Sequence, residues 1–193
     1  MTASKDLVIH GAGGHAAVVA EAWRASGGRV AVFIAPEAPI GPLPAPWSHT
    51  LPDGEHGHHL GFGDLARRRA AVEALSGRRW AAVVDPRALV CGDADIGAGA
   101  FIALGALVQV RASIGAHAIV NTGAVVEHDV VVGAFSHVAP RAVLLGGVRI
   151  GEGAMIGAGA VVLPGVAVGA DAVVGAGAVV TRDLEAGAKV AGA

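Results

Sequence analysis

"IVNTGAVVEHDVVVGAFSHVAP", residues 119–140, repeats itself every six residues. Val120, Val126, Val132 and Val138 fall at that interval, and two places before each stands Ala118, Ala124, Val130 or Ser136. Six is neither the 3.6 of an α-helix nor the unbroken two of a long strand; it suits short strands that each turn a corner before the next begins. Followed outward, the interval holds from Val84 to Val180 without a slip, seventeen positions that are all Val, Ile or Leu. Three such sides close one triangular coil, in which each branched residue points inward onto its equivalent one coil away. At roughly 1.5–3 kcal/mol per buried aliphatic side chain, that stack offsets the ordering of the chain with no conventional globular core. Glycine often follows the aliphatic residue, as at Gly97, Gly115, Gly133, Gly151, Gly157, Gly169 and Gly175, where a corner needs positive φ or close backbone approach. Residues 84 to about 182 therefore read as a parallel β-helix of between five and six coils.

The texture before the repeat is different. Leu7 to His10 reads as a strand, "GAGGH" as a turn, Ala16 to Ala25 as a helix stopped by Gly27 and Gly28, and Arg29 to Ile34 as a second strand. Residues 35–59, rich in Pro, Gly and His, read as one long loop, with His56, His58 and His59 on its surface. Asp64 can cap a second helix running to about Leu75, whose Arg67, Arg68 and Arg69 read as a solvated face, and Trp80 to Val84 reads as a third strand. Strand, helix and strand in succession argue a small α/β unit with a parallel sheet. A glycine-rich turn between strand and helix offers free backbone N–H groups and a helix N-terminus to an anion. Gly11, Gly13, Gly14 and His15 lie there, and Asp64 near the next strand end is a second candidate contact. The acidic residue of a full dinucleotide site is missing after the second strand, where Ala35-Pro36 stands, so the phosphate of a nucleotide-linked substrate suits this head better than NAD.

Composition narrows the classes. The 193 residues carry 14 basic and 16 acidic side chains, a formal charge of -2, and no basic block beside aromatics, which argues against a nucleic-acid partner. Residues 153–170 hold no charge, but they are Gly/Ala/Val with an internal Pro164 and continue the repeat, so no membrane span is expected. Cys91 is the sole cysteine, which excludes an internal disulfide. The N-terminus has no long apolar signal segment, and a cytoplasmic protein is the expectation. His117, His128 and His137 lack the close pair of a carbonic-anhydrase-like zinc site, and no metal is expected.

Glu127 and His128 follow the core residue Val126 toward a corner, away from the packed interior. A neighbouring carboxylate can fix the tautomer of an imidazole, whose pKa near 6.5 suits proton transfer near neutrality. His137 lies nine residues on, half a coil away, so the two histidines share a site only between chains. Asn121 reads as a corner residue of an internal side-chain ladder.

"VIHGAGGH" at 8–15, "GFGD" at 61–64 and the long stretch from Ile119 to Gly169 resemble the sialic-acid O-acetyltransferases and UDP-4-amino-sugar N-acetyltransferases of bacterial glycan pathways. The resemblance implies a small Rossmann-like head over residues 1–83 that holds a sugar nucleotide, and a left-handed parallel β-helix of hexapeptide repeats over residues 84–193 that binds acetyl-CoA. It implies a homotrimer with active sites between subunits. His128 falls on the family's general base and Glu127 on its supporting acid. His137 falls on a histidine near the acetyl-CoA thioester and Gly146 on a backbone donor beside it, with Ala158 and Ala176 as further acetyl-CoA contacts. The expected reaction is acetyl transfer from acetyl-CoA to the amine of a nucleotide-linked amino sugar. Two alternatives stand beside it: O-acetylation of a sialic-acid-like sugar, and a non-catalytic trimeric nucleotide-binding scaffold. "FIAPEAP" after the second strand departs from the acidic residues of many relatives and leaves the nucleotide open.

Overall fold

The computed structural model describes residues 6–39 and 41–192. The head is a four-stranded, all-parallel sheet in the order β3-β2-β1-β4, built from β1 (Asp6–His10), β2 (Arg29–Ile34), β3 (Trp47–Ser48) and β4 (Gly57–Leu60). Helix α1 (Gly14–Ala25) follows β1 and buries Ala16, Val19, Ala20 and Ala22; helix α2 (Leu65–Ala74) follows β4. No helix among the described residues is long and apolar enough to cross a membrane.

Three readings of the head need correction. The expected loop 35–59 contains β3 and β4, and β4 pairs along β1 from Leu7↔Gly57 to His10↔Leu60 with His58 and His59 buried. The strand looked like loop because its buried side chains are imidazoles. His58 is matched to His10, Nδ1 to Nε2 at 2.9 Å, and His59 donates through Nδ1 to the Ala81 carbonyl at 2.9 Å. Arg68 is also fully buried rather than part of a solvated face. The expected strand from Trp80 is a single bridge to His58, and Val83–Val84 already belongs to the β-helix.

From β5 (Val83–Val84) to β22 (Lys189–Val190) every strand is two residues long, and the strands stack into three parallel sheets of seven, six and five. Successive coils lie eighteen residues apart, as in Ile114↔Val132 and Val120↔Val138. The hexad residues and the small residues two places before them form one continuous core from Ala100 to Val180. The last coil is two residues shorter: Val174 pairs with Val190, and Leu184 bridges to Val168. That takes the helix past the expected end near residue 182.

The corner glycines divide into two kinds. Those after the aliphatic residue are crowded: a β-carbon on Gly115 or Gly133 would come within 2.4 Å or 2.6 Å of a backbone nitrogen in the next coil. Positive φ occurs two residues later, at Gly123, Gly147, Gly153 or Gly165, and also at Arg111, His117, Asp129, Phe135, Arg141 and Asp171.

Each sheet presents one outward residue per strand. On the seven-stranded sheet Val83, Phe101 and Ile119 are fully buried under the head, packed with Leu7, Ile9, Ala16 and Val19. His137 is the next outward residue in that column, so it stands at the rim of the head.

Candidate active site

His128 and Asp129 occupy the corner between β12 (Val125–Val126) and β13 (Val131–Val132). Asp129 takes φ 62°, and from that left-handed conformation its Oδ2 accepts from His128 Nδ1 at 2.7 Å. Arg111, one coil earlier, donates to both oxygens of the same carboxylate at 2.6 Å and 2.9 Å. Arg111 first, and His128 after it, hold the Asp129 carboxyl far below the usual carboxylate range. Because Nδ1 donates to Asp129, Nε2 of neutral His128 is left with its lone pair. The side chain of Glu127, expected as the supporting acid, makes no hydrogen bond or ion pair among the described residues; the carboxylate bound to His128 is that of Asp129. The turn decides this: Glu127 directly follows the strand, whereas the left-handed residue after His128 carries its carboxylate back to the ring.

Gly146 lies one coil beyond His128. A β-carbon there would be 2.7 Å from both Cε1 and Nε2 of His128. The carbonyl of Gly146 accepts from Gly165, while its N–H has no backbone partner among the described residues. Ala158 and Ala176 stack one coil apart at exposed corners, and their N–H groups are likewise without a backbone partner.

The second group lies at the seam between head and β-helix. His137, on β14 (His137–Val138), meets Asn121 with Nε2 to Nδ2 at 3.0 Å. Asn121 Oδ1 accepts from Thr122 N at 2.8 Å, so the amide donates to His137 Nε2 and neutral His137 carries its proton on Nδ1. Asn121 forms no ladder, because the residues stacked against it in neighbouring coils are Ala103 and Ala139. Gly63 passes His137, with room for a β-carbon at 3.8 Å from Cε1. His15, at the start of α1, meets Phe101 edge-on with ring centroids 5.5 Å apart. Burial pushes both His15 and His137 down to about 4, and the nearby Arg68 charge adds to this. His128 sits at a corner away from the sheet that carries His137, so one chain does not bring the two together.

The glycine turn opens onto a cleft of about 350 Å³ lined by Gly11, Ala12, Gly13, Ala35, Pro36, Glu37, Ala38 and Arg67, at the carboxyl ends of β1 and β2. Gly11 has φ 114°, and a β-carbon there would come within 3.1 Å of the Gly61 carbonyl and the Phe62 ring. Gly13 caps α1 with no side-chain bond, and nothing lies within 4 Å of a β-carbon at Gly13 or Gly14. Asp64 caps α2, accepting from Arg67 N at 2.8 Å. Among the described residues no group of three His, Cys, Asp or Glu is arranged to hold a metal ion.

Sequence reasoning gave Asp129 no role, read Asn121 as a ladder residue and read Arg68 as part of a solvated face. Asp129 was legible only as a third polar residue in "EHD"; the other two depend on contacts across coils and across the seam.

A parallel β-helix of stacked hexapeptides under a small α/β head is the architecture of hexapeptide acyltransferases. Residues 147–182 match the family of the bacterial transferase hexapeptide (six repeats). The acetyltransferase domain of PglB from Neisseria gonorrhoeae FA1090, solved with acetyl coenzyme A, is 34% identical, covers 98% of this chain and 97% of its own, and superposes with a TM-score of 0.90. A histidine-to-alanine variant of GDP-perosamine N-acetyltransferase from Caulobacter crescentus, solved with CoA and GDP-perosamine, is 36% identical over 100% of this chain and 95% of its own, with a TM-score of 0.89. WeeI from Acinetobacter baumannii AYE is 25% identical over 96% of each chain, with a TM-score of 0.83. No curated protein sequence matches significantly. The chain belongs to the acetyl-CoA-dependent sugar N-acetyltransferases that join a small Rossmann-like head to a left-handed hexapeptide β-helix.

Proposed function

We propose that this protein acetylates the amine of a nucleotide-linked amino sugar, with His128 as general base and Asp129 as the carboxylate that orients it. The observation that carries this reading is the His128–Asp129 pair, whose 2.7 Å bond leaves Nε2 as the lone-pair nitrogen. The amine nitrogen attacks the thioester carbonyl carbon and His128 Nε2 takes its proton. The tetrahedral oxyanion collapses, the C–S bond breaks, and the proton held on His128 Nε2 passes to the leaving sulfur, which departs as CoA. A free N–H beside the ring, such as that of Gly146, suits the oxyanion.

The division of labour follows the open surfaces. The glycine turn and the cleft beside it suit the diphosphate and nucleoside in the head, over residues 1–83. The unpartnered corner N–H groups of Ala158 and Ala176 suit acetyl-CoA along the β-helix, over residues 84–193. GDP-perosamine on a relative that spans this whole chain supports a nucleotide amino sugar as acceptor.

The site is shared between copies. Leu89, Leu107, Val125, Val143, Val161 and Val179 form the outward column of the six-stranded sheet, with Leu89 58% and Val179 59% exposed. A column of six aliphatics facing solvent suits burial against another copy, and His128 lies at its edge. A homotrimer would bring His128 of one copy to His137 and His15 of the next.

Turnover of acetyl-CoA with GDP-perosamine, followed as free CoA against N-acetylated sugar, tests the reading. One CoA per acetylated amine is expected. Acetylation of a free sugar hydroxyl with indifference to the nucleotide would replace it.

A further inference from the structure

Arg68 carries a full charge with no surface exposure and no carboxylate within ion-pair distance among the described residues. Its fork is satisfied by carbonyls alone: Nε and Nη2 donate to His117 at 3.2 Å and 3.0 Å, and Nη1 donates to Leu60 at 3.2 Å and Phe62 at 2.8 Å. Leu60 and Phe62 belong to the head and His117 to a coil corner, so one guanidinium ties the Gly63 loop to the β-helix beside His137. The nearby cation Arg69 has its own acids, Asp171 at 2.8 Å and Glu152 at 3.5 Å, which leaves the charge of Arg68 uncompensated.

Four imidazoles from four elements lie near enough to feel this charge: His15 of α1, His59 of β4, His117 of the corner before Ile119, and His137 of β14. Each has one buried ring nitrogen without a partner, namely His15 Nε2, His59 Nε2, His117 Nδ1 and His137 Nδ1. Buried polar atoms left unpaired call for an occupant or a chemical role. His59 gives its Nδ1 proton to Ala81, so its Nε2 is an acceptor, while Nδ1 of His137 is a donor. The seam therefore offers neutral donors and acceptors around a buried cation.

We propose that Arg68 is a positioning residue that makes this seam averse to cations, so that the acceptor sugar is bound as its free amine rather than as an ammonium ion. The inference rests on the proposed acetyl transfer to an amine. An ammonium has no lone pair with which to attack the thioester, and a positive charge held in a poorly solvated site disfavours a second one nearby. Burial first, and the Arg68 charge after it, hold His15, His59, His117 and His137 well below the usual imidazole range. The proton shed by the ammonium leaves to solvent on binding, before any bond to the acetyl group forms.

Binding without acetyl-CoA tests this. GDP-perosamine is titrated calorimetrically into the wild-type protein at one pH unit below the amine's own pKa, in two buffers of different ionisation enthalpy. About 0.9 proton should be released per site, the ammonium fraction at that pH. A GDP-linked 6-deoxy sugar with a hydroxyl in place of the amine should bind with no proton exchange. Arg68→Gln should bind GDP-perosamine with release cut at least by half, and Arg68→Lys, which keeps a charge at the seam, should restore it. Proton-neutral binding of the amine by the wild type would overturn the proposal, as would unchanged release in Arg68→Gln. Binding of neither sugar nucleotide would overturn a GDP-linked amino sugar as the acceptor, and this inference with it.

Discussion

Gly146 lies against the His128 ring so closely that a β-carbon would stand 2.7 Å from both Cε1 and Nε2. Its φ is not positive, so the conformational freedom of glycine is not what the position requires; the imidazole takes the space. Gly146→Ala should force the ring from its 2.7 Å bond to Asp129 while the corner persists. The expected result is a roughly ten- to hundredfold fall in kcat, since small misplacements of a reacting group cost about that much, with the melting temperature nearly unchanged. Steady-state kinetics beside thermal denaturation would check both halves.

Removal of the base itself should cost more. His128→Ala is expected to lose roughly two to four orders of magnitude in turnover. Asp129→Asn should lose less, because the ring keeps a hydrogen-bond partner but loses its anionic neighbour, and Glu127→Gln should fall within about threefold of wild type. Single-turnover rates with GDP-perosamine rank the three. An effect of Glu127→Gln exceeding that of Asp129→Asn would return the supporting role to Glu127.

What the sequence disclosed and what it hid follow one physical division. The β-helix was legible because each coil repeats one local solution, so Val120, Val126 and Val132 announce the same environment at each step. Its short final coil was not, since Leu184 and Val190 reach their columns two residues early. The head follows no period, and β4 buries His58 and His59 through partners distant in sequence, His10 and Ala81. Arg68 was hidden for the same reason: three carbonyls from two regions replace the carboxylate that a charge pattern would reveal.

Six buried or half-buried histidines make stability depend on acid. His10, His15, His58, His117 and His137 are pushed to about 4 and His59 to about 3, in every case chiefly by burial. Above pH 7 both folded and unfolded chains leave them neutral, so the stability is fully present. As pH falls through the unfolded value near 6.5, the unfolded chain takes up protons that the folded one refuses, and stability declines until the folded groups titrate near 4. The melting temperature should drop steeply across that window. Trp80, with ring centroids 4.9 Å from His117 and 6.0 Å from His10, reports local opening by fluorescence. A flat melting temperature from pH 7 to pH 4.5 would contradict the burial of these imidazoles.

The two kinds of corner glycine should differ in what substitution costs. Gly133→Ala brings a β-carbon to 2.6 Å from Glu152 N and 2.7 Å from the Gly151 carbonyl carbon, both backbone atoms of the next coil. It should destabilise by about 1–3 kcal/mol or more, as overpacking does. Gly165, with φ 72° and open space around it, should accept Asn at well under that cost, because Asn tolerates the left-handed region. Chemical denaturation of the two variants distinguishes crowding from conformation as the constraint.

Assembly can be tested where the apolar column is continuous. Val143 lies between Val125 and Val161 on the outward side of the six-stranded sheet, and its inward neighbour Leu144 keeps the coil packed. Val143→Asp leaves the interior untouched but sets a carboxylate in the middle of the column, where burial against another copy would strand an unpaired charge. Light scattering at micromolar concentration should give a trimer for the wild type and smaller species for Val143→Asp, with the circular dichroism of the β-helix retained. Activity should fall with the trimer, because His128 and His137 occupy separate parts of each chain. Dissociated subunits with full turnover would rule out a site shared between copies, and a wild-type monomer would remove the reason for the column.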